Sequence, residues 1–371
     1  MTAGTRVLVV NTGSSSVKLR LLGGDDAVAF RADLGPMADP SSVAGLVRHL
    51  RALASSGDVD VVGHRVVHGG DRFRASVVVG DAVEQELDDL GDLAPLHNPP
   101  AVAALRAARR LVAVPHVACF DTAFHATMPA EASTLAVPAV WRERWGVRRY
   151  GFHGLSHAYA ARRAAALVGR PPESLRVVTC HLGAGASLCA VVAGRSVDTT
   201  MGFTPLDGLV MATRSGAVDP GALLWLQRRA GLDPDDMETA LDRESGLLGL
   251  SGTGSSPREL YPAADAGHRA ARLALDVYLH RLAAAVAAMA TSAGGLDAIA
   301  FTGGVGENDA RLRSDAVARL AWLGAAVDPG ANGEAGGDRV VSPRGAQPVV
   351  CVVAAREDVE IAAEARRTAG P

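Results

Sequence analysis

VLVVNTGSSSVKLRLL, residues 7–22, and VVTCHLGAGASLCAVV, residues 177–192, read as two versions of one pattern. Each opens as a β-branched run, passes a polar residue, turns through Gly and small residues, and resumes as an apolar strand. Asn11 aligns with His181, Gly13 with Gly183, and Ser14-Ser15-Ser16 with Ala184-Gly185-Ala186. A hairpin repeated about halfway along 371 residues suggests a duplicated domain with a cleft between the copies. Two unrelated hairpins with Gly-rich turns are the alternative.

The surrounding sequence alternates short β-branched runs with Ala/Leu/Arg stretches, the pattern of an α/β fold. Strands are expected at RVLVV, VKLRLL, VDVVGHRVV, HVACFD, RVVTCHL, SLCAVV, AIAFTGG and PVVCVV. Helices are expected at SVAGLVRHLRALASS, PAVAALRAARRLV, SHAYAARRAAALVG and HRAARLALDVYLHRLAAAVAAMA. The last is apolar on nearly every face and reads as a buried helix.

Composition excludes several classes of function. A formal net charge of -3 gives no case for nucleic acid or an anionic membrane as partner. The four cysteines, Cys119, Cys180, Cys189 and Cys351, are widely spaced in apolar runs, which reads as a reducing compartment without a disulfide framework. The first apolar run is too short for a signal peptide, and no later stretch reads as a charge-free span, so a cytoplasmic location is expected.

The chemistry gathers at Gly-rich turns. A Gly/Ser turn lets several backbone N–H groups converge on one point, and flanking hydroxyls with the Lys18 ammonium complete a setting for phosphate oxygens. GSSSVK lacks the spacing of a Walker A loop and runs into a strand rather than a helix. A third Gly turn, AIAFTGGVGEN (residues 298–308), follows a strand and leads into helical sequence. Three such turns in one chain point to a nucleotide-dependent phosphotransferase.

Polar residues set in apolar segments supply the rest. Arg65 stands among valines, where a guanidinium needs an anionic partner or access to a cleft. His97 precedes a Pro pair, Asp121 follows a strand, His153 sits in a Gly-bounded turn, and Arg214 lies in a Gly/Thr/Pro loop. Glu357 and Asp358 stand where a strand yields to the last helix, and Asp358 suits a helix start. His64, His68, His116 and His157 read as histidines satisfied locally or at the surface. Lysine occurs once, at Lys18, and asparagine four times, at Asn11, Asn98, Asn308 and Asn332, three of them inside these motifs.

NTGSSSVK, GHRVVHGG, FDTAFHATMP, RRYGFHGLSH, HLGAGAS, MGFTPLDGLVMATRSG, SGLLGLSG and FTGGVGEN, in this order from residue 7 to about 365, together resemble the acetate/butyrate kinase family. The resemblance implies an α/β protein of two duplicated actin/sugar-kinase-like (RNase H-like) domains flanking an active-site cleft. It divides the chain into 1–125, joined by a C-terminal helix at 359–371, and 126–358, which carries the nucleotide loops and a dimer interface. It implies reversible, ATP-dependent, in-line phosphorylation of acetate to acetyl phosphate, with Mg²⁺ (or Mn²⁺), in a homodimer.

Carried over by residue, the resemblance makes Arg65, Asp121, His153, Arg214, His97 and His181 catalytic. It assigns Val67, Leu96, Phe152 and Pro205 to a pocket for the acyl methyl group. Ser14, Ser16, Lys18, Gly183, Gly185, Arg258, Gly304, Gly306 and Asn308 are assigned to phosphate and nucleotide, and Asn11 and Glu357 to the metal. Ala184 stands where the family usually has Asn, Ala217 where it commonly has Asp, Leu155 where Thr is usual, and Ser256-Pro257 where it has Asp-Phe. Drift with compensation explains these departures, since Asn11, Arg65, Asp121, His153, Arg214 and Glu357 are all present; they leave open a donor such as pyrophosphate, a propionate or butyrate acceptor, or a non-catalytic nucleotide-binding paralogue.

Overall fold

The computed structural model describes residues 4–13 and 16–370. It divides into two compact units, one of 1–126, 152–155 and 356–371, the other of 127–151 and 156–355. Residues 152–155 and 356–358, assigned to the second domain from sequence, pack with the first.

The first unit holds β1 (Val7–Thr12), β2 (Val17–Leu22), β3 (Val28–Leu34), β4 (Val61–Val66), β5 (Val77–Val78) and β6 (His116–Phe120). They form one sheet in the order β3-β2-β1-β4-β6-β5. β1, β4 and β6 run parallel, while β2, β3 and β5 run antiparallel to their neighbours. One face buries Leu8, Val10, Leu19 and Val62 against Leu46 and Leu50 of helix Pro40–Ser56 and Ala104 and Ala108 of helix Asn98–Leu111. Helix Glu357–Ala369 covers the other face so closely that a Cβ on Gly63 would lie 2.7 Å from Ile361.

The second unit repeats this plan. Its strands are β7 (Arg176–Leu182), β8 (Ala186–Val192), β9 (Arg195–Thr199), β10 (Ala298–Thr302), β11 (Arg339–Val340) and β12 (Val349–Val352). The order is β11-β12-β10-β7-β8-β9, with β7, β10 and β12 parallel and the hairpin β7-β8 antiparallel. Reversed, this is the first sheet strand for strand, so the duplication suggested by the two hairpins extends to the whole topology.

Helix Arg269–Ser292 packs on β7, β8 and β9. By length and composition it could cross a membrane, with a mean hydropathy of 1.4 in its most apolar window, but every such window carries Asp276 and Arg281, in keeping with the expectation of no charge-free span. It buries a stripe, Ala271, Ala274, Leu275, Tyr278, Leu279, Leu282, Val286 and Met289, and leaves Arg272, Leu273, Asp276 and Arg281 exposed. The helix read as buried is therefore buried along one stripe and exposed on the opposite face. Its alanines look apolar all round, yet only one stripe meets the sheet.

Candidate active site

In open sheets with parallel strands, ligands gather beyond the carboxyl ends of those strands. In the first unit these ends carry Asn11 near the end of β1, Arg65 near the end of β4 and Asp121 directly after β6. Glu357 is the first residue of the helix that crosses the same sheet.

Arg65 is held on three sides. Its Nε donates to Asp121 Oδ1 at 3.1 Å and its Nη2 to Asp121 Oδ2 at 2.7 Å, a two-point pairing that fixes the plane of the guanidinium. Its Nη1 donates to Asn11 Oδ1 at 3.3 Å and lies 3.4 Å from Glu357 Oε2, while Asn11 Nδ2 donates to that same oxygen at 2.9 Å. Burial works against the Arg65 charge, but the Asp121 and Glu357 carboxylates more than offset it and hold the guanidinium protonated above its ordinary range. Burial likewise pushes the Asp121 carboxyl upward, against the pull of Arg65.

Asp121 also fixes the turn that carries His153. It accepts a hydrogen bond from the His153 backbone N–H. His153 takes a left-handed backbone with φ of 57°, uncommon for a residue with a side chain and a recurrent feature of functional sites. A Cβ on Gly154 would stand 1.9 Å from the Asp121 carbonyl oxygen, so only glycine permits this approach. His125 Nε2 pairs with the Phe152 carbonyl at 3.0 Å, and the His68 ring meets Phe152 edge-on at 5.4 Å.

Of the residues read as an acyl pocket, Val67 and Phe152 are buried, Leu96 is 44% exposed, and Pro205 belongs to the second unit. Asn98 accepts from the His68 N–H at 3.1 Å and donates to the His68 carbonyl at 2.9 Å, clamping the segment that bears Val67. His97 is the half-buried N-cap position of the helix that Asn98 begins. Ser16 closes the first hairpin by accepting from the Gly13 N–H at 2.8 Å, and Lys18 is exposed on β2. Ser14 lies outside the described residues.

The second unit places its polar residues at the corresponding strand ends. His181 lies at the end of β7 with Nδ1 2.7 Å from Ser156 Oγ. The Gly183 N–H donates to the Gly185 carbonyl at 3.0 Å, the counterpart of the Gly13–Ser16 bond. Beyond β10, residues 303–308 form a short helix, where Asn308 Nδ2 donates to the Gly304 carbonyl at 2.9 Å and Gly306 is buried. Arg214 is held by Asp242 at 2.9 Å and reaches the Pro205 carbonyl at 3.4 Å. Arg258 is exposed in the first turn of helix Pro257–Asp265, whose start is a Ser256–Glu259 capping box, so the departure at Ser256 is also a helix cap.

Arg313 was not singled out from sequence. Its side chain is 1% exposed and donates to Asn332 Oδ1 at 2.7 Å and to the carbonyls of Gly306 and Glu307, both at 2.9 Å, and Asn332 at 2.7 Å. None of these partners is a carboxylate, and burial, with Arg339 nearby, pushes its pKa down to about 10. The available signal was its spacing, since Arg313 falls on the same helical face as the buried Leu312, Ala316 and Val317.

Among the described residues no three His, Cys, Asp or Glu side chains cluster as a metal cage. Asn11 turns its Nδ2 to Glu357 Oε2, while Asn11 Oδ1 and Glu357 Oε2 both lie near Arg65 Nη1, at 3.3 and 3.4 Å. Amide and carboxylate oxygens are the kind of hard donors that Mg²⁺ takes together with substrate phosphates and water.

Two sheets of identical order, each with a glycine hairpin and polar strand ends, define an α/β protein of the duplicated sugar-kinase type. The profile of the Acetokinase family matches residues 31–363. An acetate kinase of Leifsonia xyli is 46% identical, covering 97% of this chain and 98% of its own. One of Deinococcus radiodurans is also 46% identical, covering 96% of each. Among solved structures, Porphyromonas gingivalis acetate kinase superimposes with a TM-score of 0.88 at 34% identity, covering 98% of this chain and 99% of its own. A propionate kinase from Francisella tularensis gives 0.88 at 33%, covering 97% and 98%. The chain belongs to the acetokinase family and is a phosphotransferase with a carboxyl group as acceptor.

Proposed function

We propose that this enzyme transfers the γ-phosphoryl group of ATP reversibly to acetate, giving acetyl phosphate and ADP. The observation that carries the reading is the fixed Arg65, its plane set by Asp121 and its Nη1 turned toward Asn11 and Glu357. Acetate and the phosphoryl donor are both anions, and the protein's main tasks are to bring them in line and to neutralise charge on the transferring oxygens. Arg65 and Arg214 supply permanent positive charge, Arg65 pinned by Asp121 and Glu357 and Arg214 by Asp242, so that little side-chain ordering remains to be done on binding.

A carboxylate oxygen of acetate attacks the γ-phosphorus, and the bond to the leaving oxygen of ADP breaks. His153, held in its strained turn by Asp121 and Gly154, donates to the transferring group, with His97 and His181 as further donors. Val67, Leu96, Phe152 and Pro205 receive the acyl methyl group. Ser14, Ser16, Lys18, Gly183 and Gly185 line the phosphates, and Arg258, Gly304, Gly306 and Asn308 the nucleoside. Asn11 and Glu357 would hold Mg²⁺, which supplies charge neutralisation on the phosphates when bound.

Formation of hydroxamate from each of a panel of carboxylates, with ATP or pyrophosphate as donor, tests the reading. Acetate with ATP is expected to give the highest kcat/KM. A preference for pyrophosphate, or for butyrate, replaces that donor or acceptor, and no hydroxamate with any pair removes the catalytic reading. One methylene in such a pocket is worth about 1–3 kcal/mol, so propionate should follow acetate.

A homodimer is part of the proposal. Helix Pro220–Ala230 buries none of its residues, yet it carries Leu224 at 52% and Trp225 at 58% exposure. Light scattering on the wild type and Trp225→Glu tests this, with a monomeric wild type as the contrary result. The four cysteines are buried and unpaired with one another, which supports a reducing, cytoplasmic setting.

A further inference from the structure

Lys18 is the sole lysine of the chain, and every other basic side chain counted with it is an arginine. It is exposed on β2, and it has no hydrogen-bond or ion-pair partner among the described residues. Its register partner on β1 is Asn11, and residues directly opposed in an antiparallel pair project from the same face. Lys18 thus shares a sheet face with Asn11, whose side chain contacts Arg65 and Glu357.

The product of a carboxyl-acceptor phosphotransferase is an acyl phosphate, a mixed anhydride whose carbonyl carbon is open to attack by amines. A guanidinium is protonated throughout the physiological range and has no free lone pair for this reaction. Replacing surface lysine by arginine therefore preserves positive charge while removing targets for the enzyme's own product. Lys18 carries the one side-chain amine left in the chain.

We propose that Lys18 is a self-modification site, acylated by the acyl phosphate that the enzyme releases, and that the loss of its charge lowers turnover. The Lys18 Nζ lone pair forms a C–N bond to the carbonyl carbon, the bond from that carbon to the phosphate oxygen breaks, and inorganic phosphate leaves with the electron pair. The proton lost from nitrogen goes to water, and nothing is oxidised or reduced. The regulatory half rests on the reading of the first hairpin as a phosphate site, while the acylation itself does not.

The purified full chain is incubated with acetyl phosphate without nucleotide, and its peptides are mapped by mass spectrometry. Acetyl-Lys18 should accumulate with acetyl phosphate concentration, and wild-type activity should fall in proportion to its occupancy. Lys18→Arg, treated identically, should retain whatever activity it starts with. An unmodified Lys18 under conditions that acetylate a lysine-containing control peptide overturns the site. Equal loss of activity in Lys18→Arg overturns the feedback. ATP should slow acetylation of Lys18. If ATP has no effect while activity still tracks occupancy, the modification stands and the phosphate-binding reading of the hairpin fails.

Discussion

Arg65 and Asp121 meet as a two-point ion pair, Nε to Oδ1 at 3.1 Å and Nη2 to Oδ2 at 2.7 Å, with Asp121 only 1% exposed. Removing one member of a buried pair leaves the other charge without its partner, which typically costs about 3–5 kcal/mol. Asp121→Ala should therefore lower both stability and activity, with the loss of stability read from urea unfolding. Arg65→Ala should lower kcat by about 10²–10³-fold or more, the scale of losing a contact to the transition state. Arg65→Lys should recover little of that loss, because an ammonium cannot reproduce the planar fork. Near-wild-type turnover in Arg65→Lys would show that charge alone suffices there.

His153 and Gly154 separate stability from function. A non-glycine residue in the left-handed region carries strain of roughly 1–2 kcal/mol. His153→Gly should therefore be more stable than His153→Ala in thermal unfolding, while both lose activity together. Equal activity in wild type and His153→Gly would remove the side chain from the reaction. Gly154→Ala places a methyl group 1.9 Å from the Asp121 carbonyl oxygen, so the turn must shift and kcat should fall with no catalytic side chain altered.

Much of the fold was legible because its central strands are apolar. All eight expected strands formed, and the four not foreseen, β3, β5, β9 and β11, flank the two sheets. β3 is partly exposed and carries Arg31 and Asp33, so it lacks the run of buried residues that marks β1, while β5 and β11 have two residues each. The grouping of site residues was less legible than their identities. Arg65 reaches a partner 56 residues away and Asn11 one 346 residues away, contacts set by parallel register and by a terminal helix that no local pattern encodes. Asparagine shows the same limit: Asn98 and Asn332 stand out by rarity, yet their roles as clamps on His68 and Arg313 emerge only from tertiary packing.

Two sets of buried groups set the response to acid. His64 Nε2 lies 2.9 Å from His116 Nδ1, and His116 Nε2 lies 2.9 Å from the Val112 carbonyl. Burial lowers the pKa of both rings, so the folded chain refuses protons that the unfolded chain accepts below about 6.5. Stability from this pair is present above that pH and declines as pH falls through it. Asp297, hydrogen-bonded to Arg176 and Arg170, is lowered from 3.8 to about 2, so its contribution is lost only between those values. Urea midpoints for His64→Leu and Asp297→Asn should flatten the pH dependence in the upper and lower windows respectively. An unchanged slope in either would assign the acid response elsewhere.

Arg313 and Gly306 link a buried cation to the glycine turn of the second unit. The guanidinium holds the carbonyls of Gly306 and Glu307 on one side and both oxygens of Asn332 on the other. Arg313→Met keeps most of the volume but leaves those acceptors without donors, about 1–3 kcal/mol for each that stays dry. Lysine restores the charge but not the spread of donors, so Arg313→Lys should fall between methionine and wild type in thermal unfolding. Because the carbonyls it holds belong to the helix of Gly304, Gly306 and Asn308, KM for ATP should rise several-fold in both variants, with KM for acetate little changed. A parallel rise in the two KM values would mean that Arg313 supports the whole unit rather than the nucleotide turn.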